Sequence, residues 1–169
     1  MALKIKLHER FNEAFRPKTV KIGAQTWTAT NLAVDDGGEG IYKNPKNNET
    51  YYTWDAAMRV AKSIPGWHVP SALEWNEAAL ACGATEKPYE DAPNLNDYKD
   101  AQEFKDNLDV KLAGLYIGSF SNVGSNAYFW TSTESSSTRA YYRYFSTGAS
   151  MGSYNLTKNN GLSVRLVKD

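Results

Sequence analysis

Residues 127–169, AYFWTSTESSSTRAYYRYFSTGASMGSYNLTKNNGLSVRLVKD, decide how the rest of the chain is read. Two segments, residues 128–133 and 161–167, carry the β-branched and aromatic runs that predict strands. Residues 140–146 predict a third. Between them stand Ser, Thr, Tyr, Asn, Gly and Arg. Stiff ends around an adaptable middle suit a recognition surface. Tyrosine gives large contact area at low conformational cost, small polar residues adapt their hydrogen bonds, and arginine supplies a planar fork. The same pattern also suits a turn-rich β-meander with ordinary polar loops. Along residues 140–146, alternation puts Tyr141, Arg143 and Phe145 on one face and Tyr142 and Tyr144 on the other, with the outward face left open.

Upstream, TVKIGAQTWTATNLAV (residues 19–34) has Gly23 and Ala24 between two β-rich runs and predicts a hairpin with a tight turn. DDGGEG (residues 35–40) reads as an exposed loop. YYTW leads into a helix over residues 55–64, with Asp55 as N-cap and Pro65-Gly66 as the stop. A second helix follows Ser71, whose spacing to Glu74 is a capping box, and ends at Gly83. Leu73, Ala79 and Leu80, with Trp75 nearby, are its expected apolar face. Residues 85–100, with Pro88 and Pro93, read as a long surface excursion. Residues 100–109 predict a short helix, 111–120 a strand or extended core segment, and 121–126 a turn. At the start, LKIKL (residues 3–7) alternates apolar and basic and reads as a short strand or arm, so residues 1–18 are set apart from a domain over 19–169.

A chain of 169 residues with 41% hydrophobic and 13% aromatic content can bury a sizeable core, and disorder is not expected. Basic and acidic residues balance at 19 each, so no net field draws it to nucleic acid or anionic lipid. The opening residues lack the apolar run of a signal peptide or membrane span, which leads to the expectation of cytoplasmic synthesis without membrane insertion. Cys82 is the single cysteine, so no intramolecular disulfide or two-thiol site forms. Among Ala and Leu it reads as a small buried hydrophobe. His8 and His68 are far apart, and His68, inside GWHVPS, reads as a hydrogen-bonded structural residue because a general base needs a positioned partner. The carboxylates at Asp35, Asp36 and Glu39, at Glu90 and Asp91, and at Asp97 and Asp100 match no EF-hand spacing. No phosphate-binding glycine loop or nucleophile elbow occurs. The expected reading is a non-enzyme without cofactor or metal.

Several separated pieces resemble one family: IGAQTWTATNL (22–32), YYTWDAAM (51–58), GWHVPSALEW (66–75), YFWTSTE (128–134) and GLSVRLVKD (161–169). In this order they resemble FISUMP-type major paralogous domains. The resemblance implies an α+β, C-type lectin-like fold, with two main helices packed on small twisted antiparallel sheets and the N- and C-terminal strands paired. It implies scaffold roles for Trp27, Trp54, Trp67, Trp75 and Trp130. Leu162, Val164 and Leu166 alternate with Ser163 and Arg165, as in a strand buried on one face. The final segment is also similar to variable proteins of diversity-generating retroelements and to phage receptor-binding tip proteins, in which ligand-contacting side chains change on a fixed scaffold. The EPN, QPD and WND calcium motifs and the disulfides of animal relatives are missing, as are the paired cysteines of formylglycine-generating enzymes.

The function expected from this is ligand or receptor binding, on a phage tail or in the host cytoplasm before assembly. The partner would be a cell-surface protein or glycan, and the domain a homotrimer in the manner of receptor-binding proteins. The candidate ligand-binding residues are Ser119, Ser121, Asn122, Tyr128, Ser136, Arg139, Tyr141, Arg143, Tyr144, Ser150, Ser153 and Tyr154. A structural subunit of a tail, or a bacterial surface adhesin, without diversification is the other reading.

Overall fold

A computed structural model describes residues 15–87 and 95–169. The expected arm at residues 3–7, His8, and the Pro88, Glu90, Asp91 and Pro93 positions lie outside the described residues. Strands β1 (Thr19–Ile22) and β2 (Gln25–Thr28) form the expected hairpin, with Thr19 opposite Thr28 and Ile22 opposite Gln25. Gly23 turns it at φ +58°, a left-handed conformation that glycine adopts without a Cβ clash. β3 (Ile41–Lys43) and β4 (Thr50–Tyr52) make a second small hairpin.

Helix α1 (Trp54–Lys62) begins two residues earlier than Asp55 capping would require. Thr53 is the N-cap: its backbone is extended and its hydroxyl accepts from the Ala56 N–H at 3.3 Å. Asp55 falls in the first turn instead, where its charge suits the positive end of the helix. β5 (Trp67–His68) separates it from α2 (Ala72–Ala81). There the Ser71 hydroxyl accepts from the Glu74 N–H at 3.1 Å while the Glu74 carboxylate accepts from the Ser71 N–H at 3.0 Å, the capping box read from the sequence. Its buried face differs from the expected one. Ala72, Trp75, Asn76, Ala78 and Ala79 point inward, while Leu73 and Leu80 are 59% and 47% exposed. Both leucines lie about 140–160° around the helix from Trp75, and the larger ring takes the core.

The region expected as a surface excursion holds β6 (Thr85–Lys87) and β7 (Asp97–Lys99), an antiparallel pair. Short α3 (Gln102–Asn107) follows, then the hairpin of β8 (Leu115–Tyr116) and β9 (Phe120–Ser121). The C-terminal part supplies β10 (Ala127–Glu134), β11 (Arg139–Phe145) and β12 (Met151–Thr157). With β7 and β6 they form a five-stranded sheet of order β10-β11-β12-β7-β6. β12 was not anticipated, because MGSYNLT has little intrinsic strand preference; it forms through seven residue pairs with β11.

β13 (Val167–Lys168) closes the other main sheet, of order β1-β2-β13-β5. The C-terminal strand therefore docks on the second strand of the N-terminal hairpin, Val167 opposite Trp27, and not on the first. The longer strand expected over residues 161–167 is broken into single bridges, Gly161 to Tyr116, Leu162 to Tyr52 and Ser163 to Phe129. Its expected one-sided burial also fails, since Leu162, Ser163, Val164, Arg165 and Leu166 are all fully buried.

This segment passes between two hydrophobic clusters. One gathers Trp27, Trp75, Phe104, Phe129 and Phe145; the other gathers Tyr52, Val60, Trp130, Leu162, Val164 and Leu166. Arg165 spans the gap, donating to Asn31 Oδ1 at 2.8 Å, Thr28 O at 3.1 Å and Leu108 O at 2.6 Å, with its guanidinium over the Phe129 ring. Burial holds its pKa down to about 10, so it stays charged at neutral pH. The architecture is α+β: few helices and small antiparallel sheets. Trp27, Trp75 and Trp130 are fully buried scaffold residues, with Trp54 and Trp67 half-buried.

Candidate ligand-binding site

The five-stranded sheet decides which side chains of the C-terminal region can meet a ligand. On β11, Arg143 and Phe145 turn inward beneath α2 and α3. Phe145 packs edge-on to Phe104 with centroids 6.0 Å apart. Arg143 is 0% exposed and donates to Asn76 Oδ1 at 2.9 Å and to Ala72 O at 3.2 Å. Burial lowers its pKa to about 10. This overturns its place among the ligand contacts, because the guanidinium ties a strand to a helix below the sheet.

With Arg143 inside, strand alternation turns Tyr142 and Tyr144 outward. Cross-strand pairing puts Tyr128 of β10 opposite Tyr144, and Tyr154 of β12 opposite Tyr142. The rings of Tyr128, Tyr142 and Tyr144 form a near-equilateral triangle with centroid separations of 5.8, 6.2 and 6.1 Å. Tyr154 stands beside them, 57% exposed. Together with Asp97, Asn126 and Ser153 they line a hollow of about 360 Å³. Asn122, held at φ +57° in the turn after β9, donates from Nδ2 to the Tyr128 hydroxyl at 2.9 Å.

Two features fix the triangle. On the reverse of β10 and β11 the Phe129, Arg143 and Phe145 side chains are locked in the core. On β12, opposite Tyr144, stands Gly152, and a Cβ there would run into the Tyr144 ring. The missing side chain lets that ring lie flat across the neighbouring strand.

Burial raises the Tyr142 phenol to about 12, with the neighbouring Tyr128, Tyr144 and Tyr154 adding to it. Burial also raises Tyr144, helped by the Asp97 carboxylate and Tyr128. Tyr142 and Tyr144 are thus neutral phenols at physiological pH.

Residues 20–168 match the family model of the Fibrobacter succinogenes major domain. The chain belongs to this family. No curated protein and no solved structure matches it. Every residue lining the hollow falls inside the matched span, so the tyrosine face is part of the Fibrobacter succinogenes major domain itself.

Of the candidate contacts, Tyr128, Tyr144, Ser153 and Tyr154 line this one hollow, and Asn122 touches it through Tyr128. Ser153 is nevertheless buried, its hydroxyl donating to Asn96 O at 2.5 Å. The others lie elsewhere. Ser119 is exposed and Ser121 half-buried on the β8–β9 hairpin. Ser136 is in the β10–β11 turn, where its hydroxyl accepts from the Arg139 N–H at 3.1 Å. Arg139 donates to Asn155 Oδ1 at 2.6 Å, Tyr141 is half-buried on the Arg143 side of β11, and Ser150 is exposed just before β12. Tyr142, Asn126 and Asp97 were missed. Tyr142 was within reach, because one buried side chain on β11 settles the whole alternation.

A larger groove of about 720 Å³ runs past Glu39, Thr53, Asp55, Arg59, Thr138, Lys158 and other residues. It holds none of the candidate contacts. Its cations are engaged, Arg59 with Asp36 at 2.8 Å and Lys158 with Glu134 at 2.6 Å. The tyrosine hollow is smaller, and it holds four of the candidate contacts.

The remaining reactive groups have structural partners. His68 lies between Glu74, at 2.8 Å from Nε2, and Asp169, at 2.6 Å from Nδ1. Ring burial works against protonation, but the hydrogen bonds to Asp169 and Glu74 outweigh it and leave its pKa raised. Cys82 is buried, with its thiol pushed up by burial. Among the described residues, no group of three His, Cys, Asp or Glu side chains could hold a metal. No described helix is long and apolar enough to cross a membrane.

Proposed function

We propose that this domain is an attachment module of C-type lectin-like fold that holds a cell-surface protein or glycan on the tyrosine face of its C-terminal sheet. The observation that carries the reading is the Tyr128, Tyr142, Tyr144 and Tyr154 cluster around an open hollow, on strands whose other face is locked in the core. Rigid aromatic contacts with small polar neighbours are the chemistry of adaptable recognition. The lining of phenols, an amide, a hydroxyl and a carboxylate supports gripping over turnover. An N-terminal hairpin and a C-terminal strand in one sheet, with α1 and α2 beside it, support the lectin-like reading. Much of the face comes from residues 118–160, rich in the Ser, Tyr, Asn, Thr and Gly residues that adenine mutation of Asn codons reaches. This favours a variable protein of a phage or prophage diversity-generating retroelement.

The test is binding of the labelled domain to intact bacterial cells, comparing wild type with Tyr142→Ala and Tyr154→Ala. At least tenfold weaker binding is expected, with thermal melting of Tyr154→Ala near wild type. Wild-type binding by both variants would overturn the reading. In the gene neighbourhood, a reverse transcriptase beside a near-copy of the codons for residues 118–169 would establish diversification.

Exposed Leu73 and Leu80 on α2 favour a second reading, an assembly subunit that contacts other copies through that helix. Sedimentation of the Leu73→Glu/Leu80→Glu variant tests it: loss of an oligomer supports assembly, and an unchanged mass removes it.

A further inference from the structure

The tyrosine hollow has a sign. Among the described residues, its lining holds four phenol rings, one carboxylate at Asp97 and one amide at Asn126, and no lysine, arginine or histidine. Aromatic faces carry the negative lobe of the ring quadrupole and attract cations within about 6 Å of the centroid. A group seated over the middle of a triangle with sides of 5.8, 6.2 and 6.1 Å lies within that reach of all three rings at once. The Asp97 carboxylate stands at the edge, where its Oδ1 accepts from the Ser153 N–H at 2.9 Å. Phenol hydroxyl oxygens can accept hydrogen bonds, and a carboxamide oxygen adds another acceptor.

Two nearby arginines are engaged outside the hollow: Arg143 lies beneath the sheet on Asn76 and Ala72, and Arg139 is engaged by Asn155. Lys87 stands opposite Asp97 across the β6–β7 pair and lines the neighbouring hollow together with Asp97 and Tyr144.

We infer that this hollow receives an arginine side chain presented by a partner protein. The inference rests on the attachment reading and deepens it by naming the group recognised. A guanidinium fits better than an ammonium on three counts. It is planar and stacks on phenol rings, it is weakly hydrated and so loses less on leaving water, and its fan of N–H donors matches a rim made of acceptors. The hollow is shallow and open, about the size of a side chain with its neighbours, and suits a residue standing out from a protein surface.

The experiment titrates the domain, labelled at its tyrosine rings, with N-acetyl-arginine methylamide and follows the ring resonances by NMR. The matched probes are capped citrulline, which keeps the shape and loses the charge, capped glutamate and tetramethylammonium. Saturable shifts confined to Tyr128, Tyr142, Tyr144 and Tyr154 are expected with arginine, and citrulline should bind about tenfold more weakly. Asp97→Asn should weaken arginine several-fold while leaving citrulline unchanged, with melting recorded to show that both proteins are folded. Tyr154→Ala, at an exposed position, provides a second variant that should also weaken arginine. Equal binding of citrulline or glutamate, tighter binding of tetramethylammonium, or no saturable shift with arginine would overturn the inference. Cell binding that depends on Tyr142 and Tyr154 but ignores excess arginine and Asp97→Asn would remove the arginine and leave the attachment reading standing.

Discussion

Replacing Arg143 by alanine removes a guanidinium enclosed between β11 and α2, and the structure bounds what this costs. Two of its hydrogen bonds reach Asn76 Oδ1 at 2.9 Å and Ala72 O at 3.2 Å. Hydrogen bonds from a charged donor contribute about 1.5–3 kcal/mol each. The truncation also opens a cavity under the sheet, and large-to-small changes in a core cost about 2–5 kcal/mol. Against this stands relief of burial: the charge has no carboxylate in ion-pair contact, and its Nε lacks a partner. A net loss of about 3–4 kcal/mol follows, which for a domain of this size lowers the melting temperature by roughly 10 °C. Arg143→Met keeps most of the volume and removes the buried charge. It leaves Asn76 Oδ1 without this donor and should cost only about 1–2 kcal/mol. Thermal unfolding followed by circular dichroism reads both variants. An Arg143→Ala protein that melts with wild type yet fails to bind cells would refute the reasoning and return the guanidinium to the ligand.

Gly152→Ala should displace the Tyr144 ring and weaken binding at the face about tenfold, with far-UV circular dichroism unchanged; intact binding would show that the ring's position is irrelevant. Trp130→Ala opens a large cavity in the second cluster and loses the Nε1 hydrogen bond to Tyr52 O at 2.8 Å, so a loss of about 3–5 kcal/mol is expected in denaturant unfolding. His68 has a raised folded pKa, so its contribution is full below the unfolded value near 6.5 and is lost as pH rises through the folded one. Melting temperature should therefore fall as pH rises above the unfolded value of about 6.5, and His68→Gln should flatten that slope. Cys82 should resist iodoacetamide in the native protein and react on unfolding, followed by mass spectrometry.

Local chemistry made part of this fold legible. Gly23 marked the hairpin turn, and Ser71 with Glu74 marked the start of α2, because both signals act within a few residues. What escaped depended on distant partners. MGSYNLT becomes β12 only because β11 runs beside it, and residues 85–87 and 97–99 become strands because β12 offers its other edge. Thr53 displaced Asp55 as the cap where the chain turns out of β4. At the candidate site, tyrosine content pointed to the strands that line the hollow, but composition cannot tell the faces of a strand apart. Arg143 was named as a ligand contact for its planar fork while the outward face of its strand stayed open; α2 offers it a carbonyl and an amide oxygen inside.

The two buried arginines explain how so polar a C-terminal region stays stiff. Among the described residues, neither has a carboxylate within ion-pair distance. Arg165 collects backbone carbonyls from the end of β2 and the end of α3, and Arg143 collects one from the first turn of α2. Each guanidinium thereby joins elements distant in sequence, partly through backbone carbonyls that any residue presents and partly through the amide oxygens of Asn76 and Asn31. The outer face of β10, β11 and β12 carries half-buried and exposed tyrosines instead. A substitution at Tyr154, 57% exposed, should leave the fold standing, whereas one at Arg143 should loosen the tie between β11 and α2. On the proposed attachment reading, this division between an anchored inner face and an accessible outer one would let contacts change while the fold does not.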